Sequence, residues 1–205
     1  MLKILNLYSG IGGNRKLWSG DIEVTAVENN PIISKIYQDN FPNDKMVIGD
    51  AHQYLLDHFN EFDFIWASPP CPTHSIMRNL HNNCIEKEKK YPDMKLYEEI
   101  IFLKHFYKGK FVVENVISYY DPLIQPQKCN NHYFWCNFII SDMKKDKRGI
   151  RTESIEYKEK RNSFKVSDLD IPKELKKKIL NNCVKPEVGL HIFNMAFIDK
   201  QKKLV

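Results

Sequence analysis

No stretch of the 205-residue chain is apolar for long enough to span a bilayer. The opening residues, Met1-Leu2-Lys3-Ile4-Leu5, read directly as a strand and lack the charged and apolar regions of a signal peptide, so a cytoplasmic protein is expected. There is no Cys-x-x-Cys pair, and the five cysteines (Cys71, Cys84, Cys129, Cys136 and Cys183) are an odd number, which argues against a disulfide framework and a ribbon-type zinc site. Cys129, His132 and Cys136 are not read as metal ligands, because 132–138 has the pattern of a strand and a fourth ligand would have to come from afar; no metal is expected. Internal repeats and low-complexity linkers are missing as well. Charge of one sign does not dominate: 31 basic against 26 acidic residues leave a net +5, compatible with a polyanionic partner without demonstrating one.

What is present is a chain of one-domain size, 42% hydrophobic, with short apolar runs separated by helical patterns. Residues 2–7, 23–27, 45–48, 62–67 and 111–113 read as strands. Asn30-Pro31 is a helix start, residues 94–106 carry apolar positions at helical spacing, and a last helix is expected over about 186–197. The β-α-β-α-β order predicts an α/β fold, a Rossmann-like, mostly parallel sheet with helices on both faces and ligands at the carboxyl ends of the strands. Over 141–178 apolar runs thin out and Lys144, Lys145, Lys147, Arg148, Arg151, Lys158, Lys160 and Arg161 crowd together, which reads as an exposed segment. The organisation expected is a core over 1–140, a basic segment over 141–180, and a C-terminal helix over 181–205 that returns to the core.

Chemistry gathers at the strand ends. Tyr8-Ser9-Gly10-Ile11-Gly12-Gly13 is a strand running into a glycine turn, after which a helix with free N–H groups is expected. Such a turn alone says little, since steric reasons and dinucleotide sites produce it too. Glu28 ends the second strand, where a carboxylate can accept from both hydroxyls of a ribose; without the turn it would be a solvated glutamate. Asp50 ends the third strand and suits an adenine amino group. Together these three strand ends describe an adenosine site. The fourth strand ends in Ser68-Pro69-Pro70-Cys71-Pro72-Thr73-His74-Ser75, whose prolines present Cys71 on a stiff loop and not in a core. The fifth delivers Glu114, a carboxylate costly to bury without a task and a natural acid or hydrogen-bonding partner for whatever Cys71 attacks.

The glycine turn, Pro70-Cys71 and Glu114-Asn115-Val116, in this order, resemble the cofactor, nucleophile and cytosine-binding motifs of the DNA cytosine-5 methyltransferase family. Asn182-Cys183-Val184-Lys185-Pro186 is similar to that family's closing Asn-x-Val-x-Pro element. The resemblance implies a short, phage-like form that moves a methyl group from S-adenosyl-L-methionine to carbon 5 of cytosine in double-stranded DNA, with Cys71 adding covalently to carbon 6 of a flipped base and Glu114 holding N3 and the exocyclic amine. It implies a cofactor site of Tyr8, Ser9, Gly10, Gly12, Gly13, Glu28, Asn29, Asp50, Pro70 and Asn182, and places Ser75, Asn115, His132, Arg151 and Arg161 toward the substrate.

Three departures stand out. Pro72 replaces a common glutamine, His74 replaces an aromatic residue, and the family's Arg-x-Arg strand corresponds to 131–138, which has no arginine. His132 either takes over contact with the base or its loop, or simply hydrogen-bonds backbone. The family's variable recognition domain is nearly missing, so either 144–161 reads a short sequence or a partner subunit supplies specificity; Glu153, Glu156 and Glu159 dilute the charge of that stretch. Rival readings are a transfer RNA cytosine-5 methyltransferase, a silent binding subunit that needs a partner for DNA, and transfer of a group other than methyl. A restriction-modification system, a phage or a solitary role all remain open to such an enzyme.

Overall fold

The computed structural model describes residues 1–76, 91–143 and 153–198. Its centre is a seven-stranded sheet: β1 (Leu2–Leu7), β2 (Ile22–Glu28), β3 (Lys45–Ile48), β4 (Phe64–Ala67), β5 (Lys110–Val116), β6 (Gln127–Cys129) and β7 (His132–Cys136). The spatial order is β3-β2-β1-β4-β5-β7-β6. Strands β1 to β5 pair in parallel, whereas β7 runs antiparallel to both β5 and β6. The chain is thus mixed α/β with a mostly parallel sheet, as its pattern predicts.

Both faces of the sheet are covered, which is why the central strands are apolar without alternation. Leu5, Leu7, Ile65, Ala67 and Val113 pack on one side against α2 (Ala51–His58) and α3 (Lys95–Phe106) through Leu55, Leu96, Ile100 and Leu103. Ile4, Val24, Trp66, Val112 and Phe134 pack on the other against Trp18 and α6 (Pro186–Ala196), through Val188, Ile192 and Phe193. Trp18 and Phe193 stack at 5.0 Å. Helix α1 (Pro31–Asn40) starts as expected, with the Asn30 side chain accepting from Ile32 and Ile33 N–H groups and Pro31 in the first turn.

Two expectations are corrected. No α-helix follows the glycine turn: 9–18 is a series of tight turns, with Gly12 N donating to Ser9 O and Trp18 N to Arg15 O. Gly12 at φ +85° breaks any helical run there, and a Cβ on it would fall 2.3 Å from the Phe41 ring. Nor is the described part of 141–178 exposed throughout, although most of it is exposed or half-buried. It contains α4 (Ile155–Asn162) and the first turns of α5 (Lys173–Asn181), and Phe164, Val166, Ile179 and Leu180 bury themselves against Ile11 and Ile36. Lys158, read as one of the exposed charges, is 4% exposed and donates to Asn181 Oδ1 at 2.7 Å. Apolar residues here are spaced by lysines, so periodicity hides them. Lys144, Lys145, Lys147, Arg148 and Arg151 lie outside the described residues.

Candidate active site

At the carboxyl ends of the parallel strands lies a cavity of about 490 Å³, walled by the loops after β1, β2, β3, β4 and β5, by β7, and by the end of α5. Its two halves are built differently. In the first, Tyr8, Ser9, Gly10, Gly13, Glu28, Asn29, Asp50 and Asn182 line the wall. Glu28 is 9% exposed and its two oxygens accept from Gly10 N at 3.1 Å and Asn30 N at 3.0 Å, so the carboxylate is clamped to the glycine turn. Asp50 caps α2, Oδ1 accepting from His52 N at 2.8 Å and Gln53 N at 3.1 Å; these backbone donors, Gln53 first, pull its pKa below the ordinary aspartate value. Ser9 Oγ is buried in this wall with no hydrogen-bond partner among the described residues. Gly13 admits the C-terminal closing element, since a Cβ there would lie 2.2 Å from Val184 O and 2.4 Å from Cys183 Sγ.

In the second half, Pro70, Cys71, Glu114, Asn115 and His132 line the same cavity. Cys71 leaves β4 and Glu114 sits in β5, the strand beside it. Burial pushes the Cys71 thiol up to about 11, and the nearby Glu114 charge adds to the rise. The carboxylate of Glu114, a residue 7% exposed, makes no hydrogen bond to another described residue; His132 Nε2 stands 3.7 Å from its Oε1. His132 Nδ1 is buried without a partner. Asn115 is used structurally: its Nδ2 donates to Pro69 O at 3.0 Å and its Oδ1 accepts from Val116 N at 2.9 Å, tying β5 to the cysteine loop. Further stitches are the Ser75–Ser118 bridge, Tyr119 N to His74 O at 3.2 Å, and His74 Nδ1 against Tyr120 Oη at 2.6 Å.

Three residues expected near ligands lie elsewhere. Gly12 faces Tyr37 and Phe41 and not the cavity. Ser75 is engaged in the inter-loop bridge, and Arg161 pairs with Glu153 at 3.3 Å on α4, away from the cavity wall. Arg151 lies outside the described residues. Conversely, sequence reasoning missed His52, Lys95 and Lys178, which line the cavity from helices. Their spacing carries no signal. The buried Glu99 did leave one, an acid at a core-facing position between Leu96 and Ile100 on α3.

A family model described as C-5 cytosine-specific DNA methylase matches residues 2–132, most of the chain. The chain belongs to that family. Among curated proteins it is similar to the tRNA (cytosine(38)-C(5))-methyltransferases of Homo sapiens, 34% identical over 76 residues, and of Spodoptera frugiperda, 37% identical over 76 residues. Each match covers 34% of this chain but only 19% and 23% of the respective relative, so the chain aligns with a minor part of those enzymes. Among solved structures it is similar to a Spodoptera frugiperda DNMT2 variant (28% identity, TM-score 0.40, covering 57% of this chain and 36% of that one). It is also similar to a protein described as a DNA modification methyltransferase encoded within an E. coli prophage (21% identity, TM-score 0.39, 59% and 34%). Among the described residues no helix is long and apolar enough to cross a membrane, and no cluster of three or more His, Cys, Asp and Glu side chains could hold a metal.

Proposed function

We propose that the protein is a DNA cytosine-5 methyltransferase that uses S-adenosyl-L-methionine and forms a covalent bond through Cys71. The observation that carries this reading is that Cys71 and Glu114, from the tips of adjacent parallel strands, line one cavity with Glu28, Asp50 and the orphaned Ser9 hydroxyl.

The residues of the first half fit the cofactor. Glu28, already oriented by two backbone N–H groups, has lone pairs left for ribose hydroxyls; Asp50 retains Oδ2; Ser9 Oγ needs a partner that the described residues do not supply. Tyr8, Gly10, Gly13, Asn29, Pro70 and Asn182 would complete the enclosure. When bound, the sulfonium compound supplies the methyl group that carbon 5 of cytosine receives.

Everything else falls to the chain's own side chains. Cys71 gives its proton to solvent, its sulfur bonds to carbon 6, and the electron pair displaced from the 5,6 double bond moves onto carbon 5. Glu114 would face N3 and the exocyclic amine and hydrogen-bond them as the sulfur adds; because its carboxylate makes no hydrogen bond to another described residue and meets only His132 at 3.7 Å, it is open to the base. His132, 3.7 Å from Glu114, stands where the family's arginine strand is absent and offers a donor to the ring. Solvent then takes the proton from carbon 5, its bonding pair re-forms the 5,6 double bond, and the sulfur–carbon bond breaks with its pair returning to Cys71 as the thiolate. The base must leave its stack to enter, at roughly a few kcal/mol that contacts with the nucleic acid offset. Residues 141–180, with the basic stretch, or a partner subunit would supply those contacts.

A second reading, methylation of transfer RNA, is favoured by the names of the curated relatives. Incubation with labelled S-adenosyl-L-methionine and either duplex DNA or transfer RNA separates the two: label in DNA is expected, and label in RNA alone replaces the first reading by the second. Duplex DNA carrying 5-fluorocytosine is expected to trap an adduct on Cys71, and peptide mapping to any other residue overturns the covalent assignment.

A further inference from the structure

Beneath the adenosine half of the cavity lies a buried polar cluster that the chemistry above does not use. Glu99, on α3, is fully buried. Its Oε1 accepts a hydrogen bond from the Tyr8 hydroxyl and faces His52 Nδ1 at 3.1 Å, while its Oε2 is buried with no partner among the described residues. Tyr8 is itself unusual: it holds φ +54°, a left-handed conformation that a tyrosine adopts only when its surroundings enforce it. Both Tyr8 and His52 line the cavity beside Asp50, whereas Glu99 does not reach it.

For one oxygen to serve both neighbours, Tyr8 must donate its hydroxyl proton and His52 must carry its proton on Nδ1. Glu99 therefore fixes the aim of two rings that come from different elements, the end of β1 and the first turn of α2. We propose that Glu99 is a positioning residue for the cofactor site: it acts on the bound adenosine compound only through Tyr8 and His52, and its ionised carboxylate is the form that holds them. This inference rests on reading the cavity as the S-adenosyl-L-methionine site. The groups that face the cluster are Tyr8 after β1, Asp50 and His52 at the start of α2, Asp93 before α3, and Lys95 and Glu98 on α3.

Burial holds Glu99 above the ordinary carboxylate range, so its proton returns earlier than that of a surface glutamate as pH falls. The returning proton would sit on Oε2, which has no acceptor, and would weaken Oε1 as an acceptor for both rings. Affinity for the adenosine compound should thus fall on acidification through that range.

The test is calorimetric titration with S-adenosylhomocysteine between pH 5.5 and 8.5 on wild type, Glu99→Gln and Tyr8→Phe. Glu99→Gln is expected to bind about tenfold more weakly at pH 8 and to lose the acid-side decline. Tyr8→Phe, which leaves Glu99 in place, is expected to bind a few-fold more weakly and decides the matter if the glutamine variant does not fold. Equal affinity and an unchanged pH slope in whichever variants fold, with normal binding by wild type, overturn the role of Glu99 alone. Failure of wild type to bind at all overturns the cofactor-site reading, and this inference with it.

Discussion

The two halves of the cavity spend their polar groups in opposite ways. In the half proposed to hold adenosine, Glu28 and Asp50 each already accept two backbone N–H groups, and Tyr8, Glu99 and His52 are tied to one another. In the reacting half, Cys71 and Glu114 make no side-chain hydrogen bond to another described residue, and His132 keeps a buried nitrogen unpaired. Groups that only bind can be pre-organised by the fold at no loss. Groups that must change bonding partners during a reaction are useful only while uncommitted, and the protein instead stiffens the loops that carry them, through Asn115, His74 and the Ser75–Ser118 bridge.

Substitutions can break this contrast. Cys71→Ser, in the reacting half, is expected to lower methyl transfer by about three orders of magnitude or more and to leave S-adenosylhomocysteine binding as it was; comparable losses in both measurements would mean that the halves are not separable. Glu28→Ala should do the reverse. It removes the acceptor of Gly10 and Asn30 N–H groups and the ribose acceptor proposed above, so cofactor affinity should fall about 10- to 100-fold, while Cys71 remains as reactive toward a small alkylating agent as before.

Gly13→Ala probes the closure of the adenosine half. The added methyl collides with Val184 O and Cys183 Sγ, for a destabilisation of about 1–3 kcal/mol, visible as a lower thermal midpoint and weaker cofactor binding together. The smallest effect concerns charge in the reacting half. Because burial and then Glu114 hold the Cys71 thiol near 11, alkylation by iodoacetamide should accelerate with pH throughout the range from 7 to about 11. Glu114→Gln removes the carboxylate's contribution, lowers the thiol's pKa and should speed alkylation at pH 8.5 a few-fold, even as it slows methyl transfer; an unchanged alkylation rate would show that the two groups do not sense each other.

Much of the sheet was legible because its central parallel strands are short, mainly apolar and mostly buried runs bounded by polar turns, as in 2–7, 64–67 and 111–113. β6 escaped notice, since Gln127–Cys129 is short and has no apolar run. The helices over 155–162 and 173–181 escaped because charged residues dominate them: the buried residues of the first are Lys158 and Asn162, and Ile179 and Leu180 of the second pack with Phe164 and Val166 and with the distant Ile11 and Ile36. The turn after β1 misled for a related reason. Glycines permit a helix to begin close to a ligand, but here contacts with Phe41 and Val184 decide that the chain turns instead.

By itself the sequence determined which chemical groups stand at which strand ends, because strand termini and turn residues are local properties and the ends of parallel strands share one edge of the sheet. Only the tertiary structure decided how those groups are spent. Whether a carboxylate is clamped like Glu28, left open like Glu114 or buried as a strut like Glu99 depends on donors contributed by residues 2, 18, 47 or 91 positions away in the chain, and no local pattern encodes such partners.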